Sequence, residues 1–184
     1  MYFNNKGKEN TSTTIDLALK TAVQKGIKHI VVASSKGGTA KLLKNGNGIN
    51  IVAVTHANGY PEAGKSEITE EIRKELEELG IKVLTTTHVL SGAERGISRA
   101  FGGINPVEII AQTLRMFGQG TKVCVEVSVM ALDAGLIPFG EPIIAIGGSA
   151  YGADTALILT PSHASSIFDV KIHEVICKPS YYNE

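Results

Sequence analysis

The segment from Val31 to Leu43 constrains the fold of this chain more than any other stretch. Three apolar residues lead into a short run of small, hydroxyl-bearing residues, and a helical pattern follows directly. Such a strand, turn and helix is typical of phosphate sites, because glycines let the backbone approach, hydroxyls donate, and helix-start amides add positive charge. The candidate phosphate-binding residues are Ser34, Ser35, Lys36, Gly37, Gly38 and Thr39. The alternative is a plain tight connection between strand and helix.

The first half of the chain alternates between strand and helix patterns. Apolar runs predict strands over His29 to Ser34, Ile51 to Thr55 and Lys82 to Thr87. Helical spacing predicts a helix over Ile15 to Val23 that ends at Gly26, and a second over Ala40 to Lys44 that stops at Asn45-Gly46. A third is predicted over Ile68 to Leu79, with a cap at Ser66 and an end at Gly80. Strands separated by helices pair in parallel through right-handed crossovers, so these strands should end at one edge of the sheet.

The second half predicts helices followed by a hairpin. Asn105, Pro106 and Glu108 form a strong helix start. The stretch from Gln119 to Gly135 fits both strand alternation and helical spacing, and we interpret it as a helix. Strands are predicted over Pro142 to Ile146 and Thr155 to Thr160, with Val170 to Cys177 as an additional edge strand. The short glycine-rich connection between the first two makes the later one antiparallel.

Small polar residues cluster at the predicted carboxyl edge of the sheet. Besides Ser34 to Thr39, the strand exits carry Thr55 to Asn58 and Thr87 to Gly92, so His56 and His88 should share this edge. Ligands of open α/β sheets bind there. For each histidine, a ligand contact and an ordinary hydrogen bond at the strand end are equally good explanations.

The run from Gly59 to Ser66 matches the nucleotide-binding pattern G-x-x-x-x-G-K-[ST]. We nevertheless expect no ATP or GTP binding here, and keep it only as a third alternative. Pro61 has no amide proton to offer, and Glu62 would place a carboxylate against the phosphate charge. Thr55 to Asn58 also separate the strand from the first glycine, and no later apolar strand ends in an Asp that would hold magnesium.

Composition argues against several classes of protein. Eighteen basic residues balance eighteen acidic ones, which disfavours nucleic acid and anionic membranes as partners. Cys124 and Cys177 are far apart and indicate neither a disulfide framework nor a zinc site. With no signal peptide pattern and no long apolar run, we expect a cytoplasmic protein. The length of 184 residues suits one domain over 1–184, and the sequence leaves a homo-oligomer open.

Longer motifs resemble a known family. Val31 to Leu42, with Ile51 to Thr55, resembles the strand, phosphate loop, helix and second strand of the pyruvate kinase C-terminal domain. The hairpin Ile144 to Ile158 resembles the last two strands of that domain and its effector loop. The whole chain, including Thr87 to Ser98 and Gly152 to Ala156, is similar to small stand-alone proteins of this fold. The resemblance implies a three-layer α/β/α fold and a mostly parallel five-stranded sheet with an antiparallel edge strand.

The resemblance also implies a cofactor. Stand-alone members are associated with bound flavin mononucleotide (FMN), whose phosphate would lie on the turn where the pyruvate kinase domain binds a sugar phosphate. The other cofactor-binding candidates are Thr55, His56, His88, Ser91, Gly92, Gly148, Ser149, Tyr151, Gly152, Asp154 and Thr155. Tyr151 could stack on the flavin ring, although a loop tyrosine is more often simply packed. Asp154 and Thr155 could bond to the flavin or could only shape the hairpin loop.

Three further charged residues allow two explanations each. Arg95 could pair with the phosphate or a flavin carbonyl oxygen, or lie in solvent beside Glu94. Glu126 and Asp133, seven residues apart on one face of a predicted helix, could form an acidic pair, but a partly exposed face is the simpler explanation. We assign no catalytic residue and no metal ligand.

Two functions therefore follow, the first of them from the resemblance. The first is a cytoplasmic FMN-binding protein of unresolved activity, with a flavin-dependent oxidoreductase as one option. The second is a non-enzymatic effector-binding module that recognises a phosphorylated metabolite such as a sugar phosphate, without flavin. Both have a small phosphorylated molecule as partner, and the same turn would serve both.

Overall fold

Strands and helices alternate along the chain much as the apolar pattern predicts. The computed structural model describes residues 1–44 and 48–180. The strands are β1 Tyr2–Phe3, β2 His29–Ala33, β3 Asn50–Val54, β4 Ile81–Leu84, β5 Ile143–Gly147, β6 Thr155–Thr160 and β7 Lys171–Pro179. The α-helices are α1 Thr11–Lys25, α2 Gly38–Lys41, α3 Glu70–Glu78, α4 Ala93–Phe101, α5 Pro106–Arg115 and α6 Gln119–Asp133. Short 3-10 helices lie at Lys8–Asn10 and Ala164–Asp169.

The strands form one mixed sheet in the order β1-β7-β6-β5-β2-β3-β4. Strands β5, β2, β3 and β4 pair in parallel, and β6 runs antiparallel to both of its neighbours. The predicted parallel strands and the antiparallel hairpin are confirmed. The sheet has seven strands rather than five, so β6 is not at its edge. Strand β7 pairs with β6 on the side away from β5, and β1 pairs with the other edge of β7, with Tyr2 opposite Lys178.

Helices cover both faces of the sheet. Along β2, Ile30 and Val32 point to one face and Val31 to the other, because successive side chains of a strand alternate. The first face packs against α1, α2 and α3, and the second against α5 and α6. Each fully buried Ile or Val side chain contributes about 1.5–3 kcal/mol of hydrophobic free energy. The predicted three-layer α/β/α architecture is confirmed.

The helix ends agree with the sequence in part. Gly26 ends α1 in the left-handed conformation, with φ of 68°. Helix α3 begins later than predicted, because Thr69 rather than Ser66 caps it by accepting a hydrogen bond from the Ile72 amide at 3.3 Å. Residues 59–66 instead form their own loop, in which the Gly59 amide donates to the Lys65 carbonyl at 2.7 Å. The predicted stop of α2 at Asn45-Gly46 lies outside the described residues.

The helices before β5 include one that the sequence pattern did not predict. The expected α5 start is present, with the Glu108 carboxylate accepting from the Asn105 amide at 3.0 Å. Helix α6 confirms the helical interpretation of 119–135 and is buried along most of its length. Helix α4 is the unpredicted one, and none of its side chains is buried. Among the described residues, no helix is both long enough and apolar enough to cross a membrane.

Candidate functional site

A cavity of about 730 Å³ opens at the carboxyl edge of the sheet. Residues that follow β2 and β5 both line it, including Ser34 and Gly148. These two strands are neighbours, but from the carboxyl end of β2 the chain continues to β3 on one side, whereas from that of β5 it continues to β6 on the other. The cavity therefore lies at the topological switch point, where open α/β sheets bind ligands. Its volume is within the range of small-molecule sites.

Ten of the predicted cofactor-binding residues line this cavity. They come from four separate loops, which the parallel sheet brings to one edge, and their binding role stays a prediction. They are Ser34, Ser35, Thr39, His56, His88, Ser91, Gly148, Ser149, Tyr151 and Gly152.

The turn after β2 is fixed by hydrogen bonds and by packing. The Ser34 amide donates to the Val54 carbonyl at 2.9 Å, and the Ser34 hydroxyl accepts from the Ala40 amide at 3.2 Å. Gly37 has φ of 79°, and a Cβ there would lie 2.6 Å from Cγ2 of Ile72. Position 37 thus requires glycine because of its conformation and its contact with α3. Ser35 and Thr39 line the cavity.

The other seven predicted residues lie behind the cavity or beside it. Lys36 is exposed, with Nζ 5.9 Å from the centre of the Tyr151 ring, a cation–π geometry. The Thr55 hydroxyl is buried against the Thr85 hydroxyl at 2.6 Å. Gly37, Gly38, Gly92, Asp154 and Thr155 complete this group, since none of them lines the cavity.

Asp154 organises the loop between β5 and β6. Its carboxylate is fully buried and accepts hydrogen bonds from the Gly7 amide at 2.9 Å, the Ser149 amide at 3.2 Å and the Thr155 hydroxyl at 2.8 Å. Of the two explanations left open by the sequence, these contacts favour loop shaping. In the same loop the Ser149 Oγ is buried, and it has no hydrogen-bond partner among the described residues.

A buried ionic cluster forms the floor of the cavity. Glu126, on α6, contacts the ammonium of Lys122 one turn earlier and accepts from the Leu90 amide at 2.9 Å. His88 places Nδ1 at 3.5 Å from the Glu126 Oε2, and its Nε2 donates to the Thr55 carbonyl at 3.0 Å. Acceptors on both sides of the ring favour the doubly protonated imidazolium. The cluster then carries two positive charges and one negative charge.

The pKa shifts in this cluster have distinct causes. Burial raises the pKa of Glu126, but its contacts with His88 and Lys122 outweigh burial and lower the pKa to about 2. Burial also lowers the pKa of His88, yet the Glu126 and Thr55 contacts raise it above its usual value. For Lys122 burial is the largest effect and lowers the pKa, with further lowering by Arg115 and Arg95. Glu126 is therefore ionised at neutral pH, and its single carboxylate is the counter-charge for both Lys122 and His88.

Three arginines complete the cationic part of the lining. Arg95 and Arg99 stand one turn apart on α4, Arg115 is the last residue of α5, and all three border the cavity with Lys122. Arg115 Nε donates to the neutral Gln119 side chain at 2.7 Å. Glu67 and Glu126 are the carboxylates of the lining, so positive charge is in excess. Such a cavity favours an anionic ligand.

The segment with the nucleotide-binding pattern forms one wall of this cavity. Gly59, Tyr60 and Pro61 line it, and the Tyr60 ring packs edge-on against His56 with centres 4.5 Å apart. His56 in turn bonds to Glu67, which closes the base of the loop. Lys65, the lysine of the pattern, is exposed and pairs with Glu62 at 2.8 Å. The pattern's lysine is not among the residues that line the cavity.

The acidic residues of α6 differ from the sequence interpretation. Glu126 is 2% exposed rather than on a partly exposed face. Asp133 lies apart from it, bound to His163 Nδ1 at 2.7 Å and to the Ala164 amide at 3.2 Å. No acidic pair forms. A signal for the buried cluster exists in the sequence, because Lys122 and Glu126 stand four apart within the apolar stretch Val123 to Val129 and its flank. Arg99 and Arg115 carry no such signal.

The fold and the site together define a class of protein. A mixed, mostly parallel sheet with helices on both faces is the architecture of an α/β domain. The family model described as "Pyruvate kinase, alpha/beta domain" matches residues 12–159. The chain belongs to this family.

Solved structures of pyruvate kinase from Cryptosporidium parvum are similar to this chain. One is 17% identical, with 78% of this chain and 21% of that chain covered and a TM-score of 0.41. A second, in complex with ADP, is also 17% identical, with 92% and 24% covered and a TM-score of 0.43. A third is 14% identical, with 92% and 23% covered and a TM-score of 0.37. The chain spans about a quarter or less of the length of these pyruvate kinases.

Proposed function

We propose that this protein binds FMN in the cavity at the carboxyl edge of its sheet, with the phosphate on the turn formed by Ser34 to Thr39. The observation that carries the proposal is that one cavity combines a hydroxyl-bearing turn, aromatic side chains and an excess of cations. A phosphate dianion complements the excess positive charge of the cavity and the hydroxyl groups of the turn. The cavity volume of about 730 Å³ also leaves room for a ring system. The proposal keeps the cytoplasmic location expected from the sequence.

The residues present fit this cofactor. Tyr60 and Tyr151 line the cavity and are about half and two-thirds exposed, so each has aromatic surface with which a planar ligand could pack. The buried Ser149 hydroxyl has no partner among the described residues, and such a group costs about 1–3 kcal/mol until one is supplied. Bound flavin would supply redox chemistry, while the chain binds and orients it. An oxidoreductase activity would follow from the cofactor.

The same cavity supports a second candidate, a non-enzymatic effector site for another phosphorylated metabolite. Its lining contains more charged and hydroxyl side chains than aromatic ones, which suits a sugar phosphate as well as a flavin. The ligands of the two candidates share a phosphate group, but only FMN has a flavin ring. Binding of a flavin without phosphate and of a phosphate without flavin therefore distinguishes the two candidates.

The first experiment offers FMN to the purified protein, removes free ligand by desalting, and records the absorption spectrum. We expect retained flavin, and dissociation constants are then measured by calorimetry for FMN, riboflavin and glucose 6-phosphate. Tight binding of the sugar phosphate without retention of FMN would support the effector site instead. Retention of neither ligand would refute both candidates.

The phosphate position is tested with the double variant Ser35→Ala/Thr39→Val. Loss of hydrogen bonds to a charged phosphate should weaken FMN binding at least about tenfold while riboflavin binding changes little. Ser165→Ala/Thr113→Val removes the same atoms at exposed positions outside the cavity and serves as the control. Equal losses for FMN and riboflavin would show that the phosphate is not on this turn.

A further inference from the structure

The arginine and lysine side chains of the cavity lining form a group that we name the basic corner: Arg95, Arg99, Arg115 and Lys122. It lies with α4, α5 and α6, on the second face of the sheet. The turn from Ser34 to Thr39 leads into α2, which packs on the first face. A ligand that contacts both the turn and the basic corner therefore crosses the edge of the sheet. With its phosphate on the turn, as proposed, its other end lies in the basic corner.

The charge of the basic corner is only partly balanced within the described residues. Glu126 is shared between Lys122 and His88. Arg115 donates to the neutral Gln119 side chain, and neither Arg95 nor Arg99 has a salt bridge to a carboxylate in the described chain. Glu108, whose charge interacts with Arg95, is already bound by Ser98 and by the Asn105 amide. A negative charge in the corner would relieve this repulsion.

Resting on the proposed function, we infer that the basic corner holds the pyrimidine edge of the flavin and binds reduced FMN more tightly than oxidised FMN. Two-electron reduction adds two electrons and one proton, at N5, and leaves one negative charge over N1 and the C2 oxygen. N1 and the C2 oxygen are two hydrogen-bond acceptors that lie side by side, which matches the paired N–H donors of an arginine guanidinium. The oxidised ring has the same acceptors without the charge, so the arginines discriminate between the two states.

The test measures the potential of FMN bound to the protein by dithionite titration against a reference dye. Wild-type protein should bind reduced FMN at least tenfold tighter than oxidised FMN, which raises the potential by about 30 mV for a two-electron couple. Arg95→Gln/Arg99→Gln should remove most of this difference, and Arg95→Lys/Arg99→Lys should keep part of it. Lys74→Gln removes one charge at an exposed position of α3 outside the cavity lining and should have no effect.

The other outcomes separate this inference from the proposed function. If FMN binds and the glutamine variant has the wild-type potential, the inference is overturned and FMN binding stands. If that variant loses affinity for FMN but not for riboflavin, the corner holds the phosphate, which also overturns it. If the wild-type protein retains no FMN, the proposed function and the inference fall together.

Discussion

The substitution Glu126→Gln tests the buried ionic cluster most directly. It keeps the shape of the side chain but removes the one negative charge between Lys122 and His88, leaving one buried and one partly buried cation without a counter-charge. The contacts that lower the pKa of Glu126 from 4.5 to about 2 correspond to about 3 kcal/mol at about 1.4 kcal/mol per pKa unit. Breaking a buried ion pair typically costs about 3–5 kcal/mol, which agrees.

The assay is urea unfolding followed by far-UV circular dichroism at pH 7, 5 and 3.5. A carboxyl whose pKa is lower in the folded state stabilises the fold above its unfolded pKa, and that stabilisation is lost as pH falls through the folded value. The variant should therefore be about 3 kcal/mol less stable at pH 7 and pH 5. The gap should narrow as the pH falls from 4.5 towards about 2.

The matched control is Glu75→Gln, which breaks the exposed Lys41–Glu75 pair of 2.5 Å. An exposed ion pair contributes at most about 1 kcal/mol, so this variant should stay close to wild type. The reasoning is refuted if Glu126→Gln destabilises the protein no more than the control does. It is also refuted if the difference from wild type is the same at pH 7 and at pH 3.5.

Two further substitutions test the loops around the cavity. Gly37→Ala should destabilise the protein by about 1–2 kcal/mol in urea unfolding, because φ is 79° and the new Cβ would lie 2.6 Å from Ile72 Cγ2. Gly38→Ala, which meets nothing within 4 Å, should leave stability unchanged or raise it, and a reversed order would contradict this account. Asp154→Asn should cost about 1–3 kcal/mol, seen as a lower melting temperature, because an amide nitrogen cannot accept from Gly7 or Ser149. A change in FMN affinity at constant melting temperature would instead indicate that Asp154 contacts the ligand.

Local patterns made most of the fold predictable. Apolar runs bounded by small residues located β2 to β6, the prediction over Val170 to Cys177 located β7, and the short connection before β6 predicted its antiparallel direction. Strand β1 has only two residues, too few for any periodicity. Helix α4 carries an apolar stripe at helical spacing, Ala93, Ile97 and Phe101, by which the pattern could have revealed it, although none of these side chains is buried. The position of β6 inside the sheet depends on long-range pairing with β7, which local sequence does not encode.

The site was predictable where it follows directly from strand ends. The exits of parallel strands must meet at one edge, which places Ser35, His56 and His88 together without knowledge of packing. The burial of Glu126 depends on how α6 lies beneath the β4 exit, a tertiary contact that the helical pattern does not contain. Arg99 and Arg115 come from separate helices, and only the packing of α4 on α5 brings them to one cavity.

The attachment of α4 has a consequence for how a ligand enters. Polar contacts with the start of α5 hold this helix, among them the Val107 amide donating to Glu94 at 3.1 Å and the Asn105 side chain donating to Ser98 at 2.7 Å. Its apolar side chains Ile97 and Phe101 face solvent. Local opening costs least where little apolar surface is buried. Among the helices around the cavity, we therefore expect α4, which carries Arg95 and Arg99, to open locally at the lowest free-energy cost.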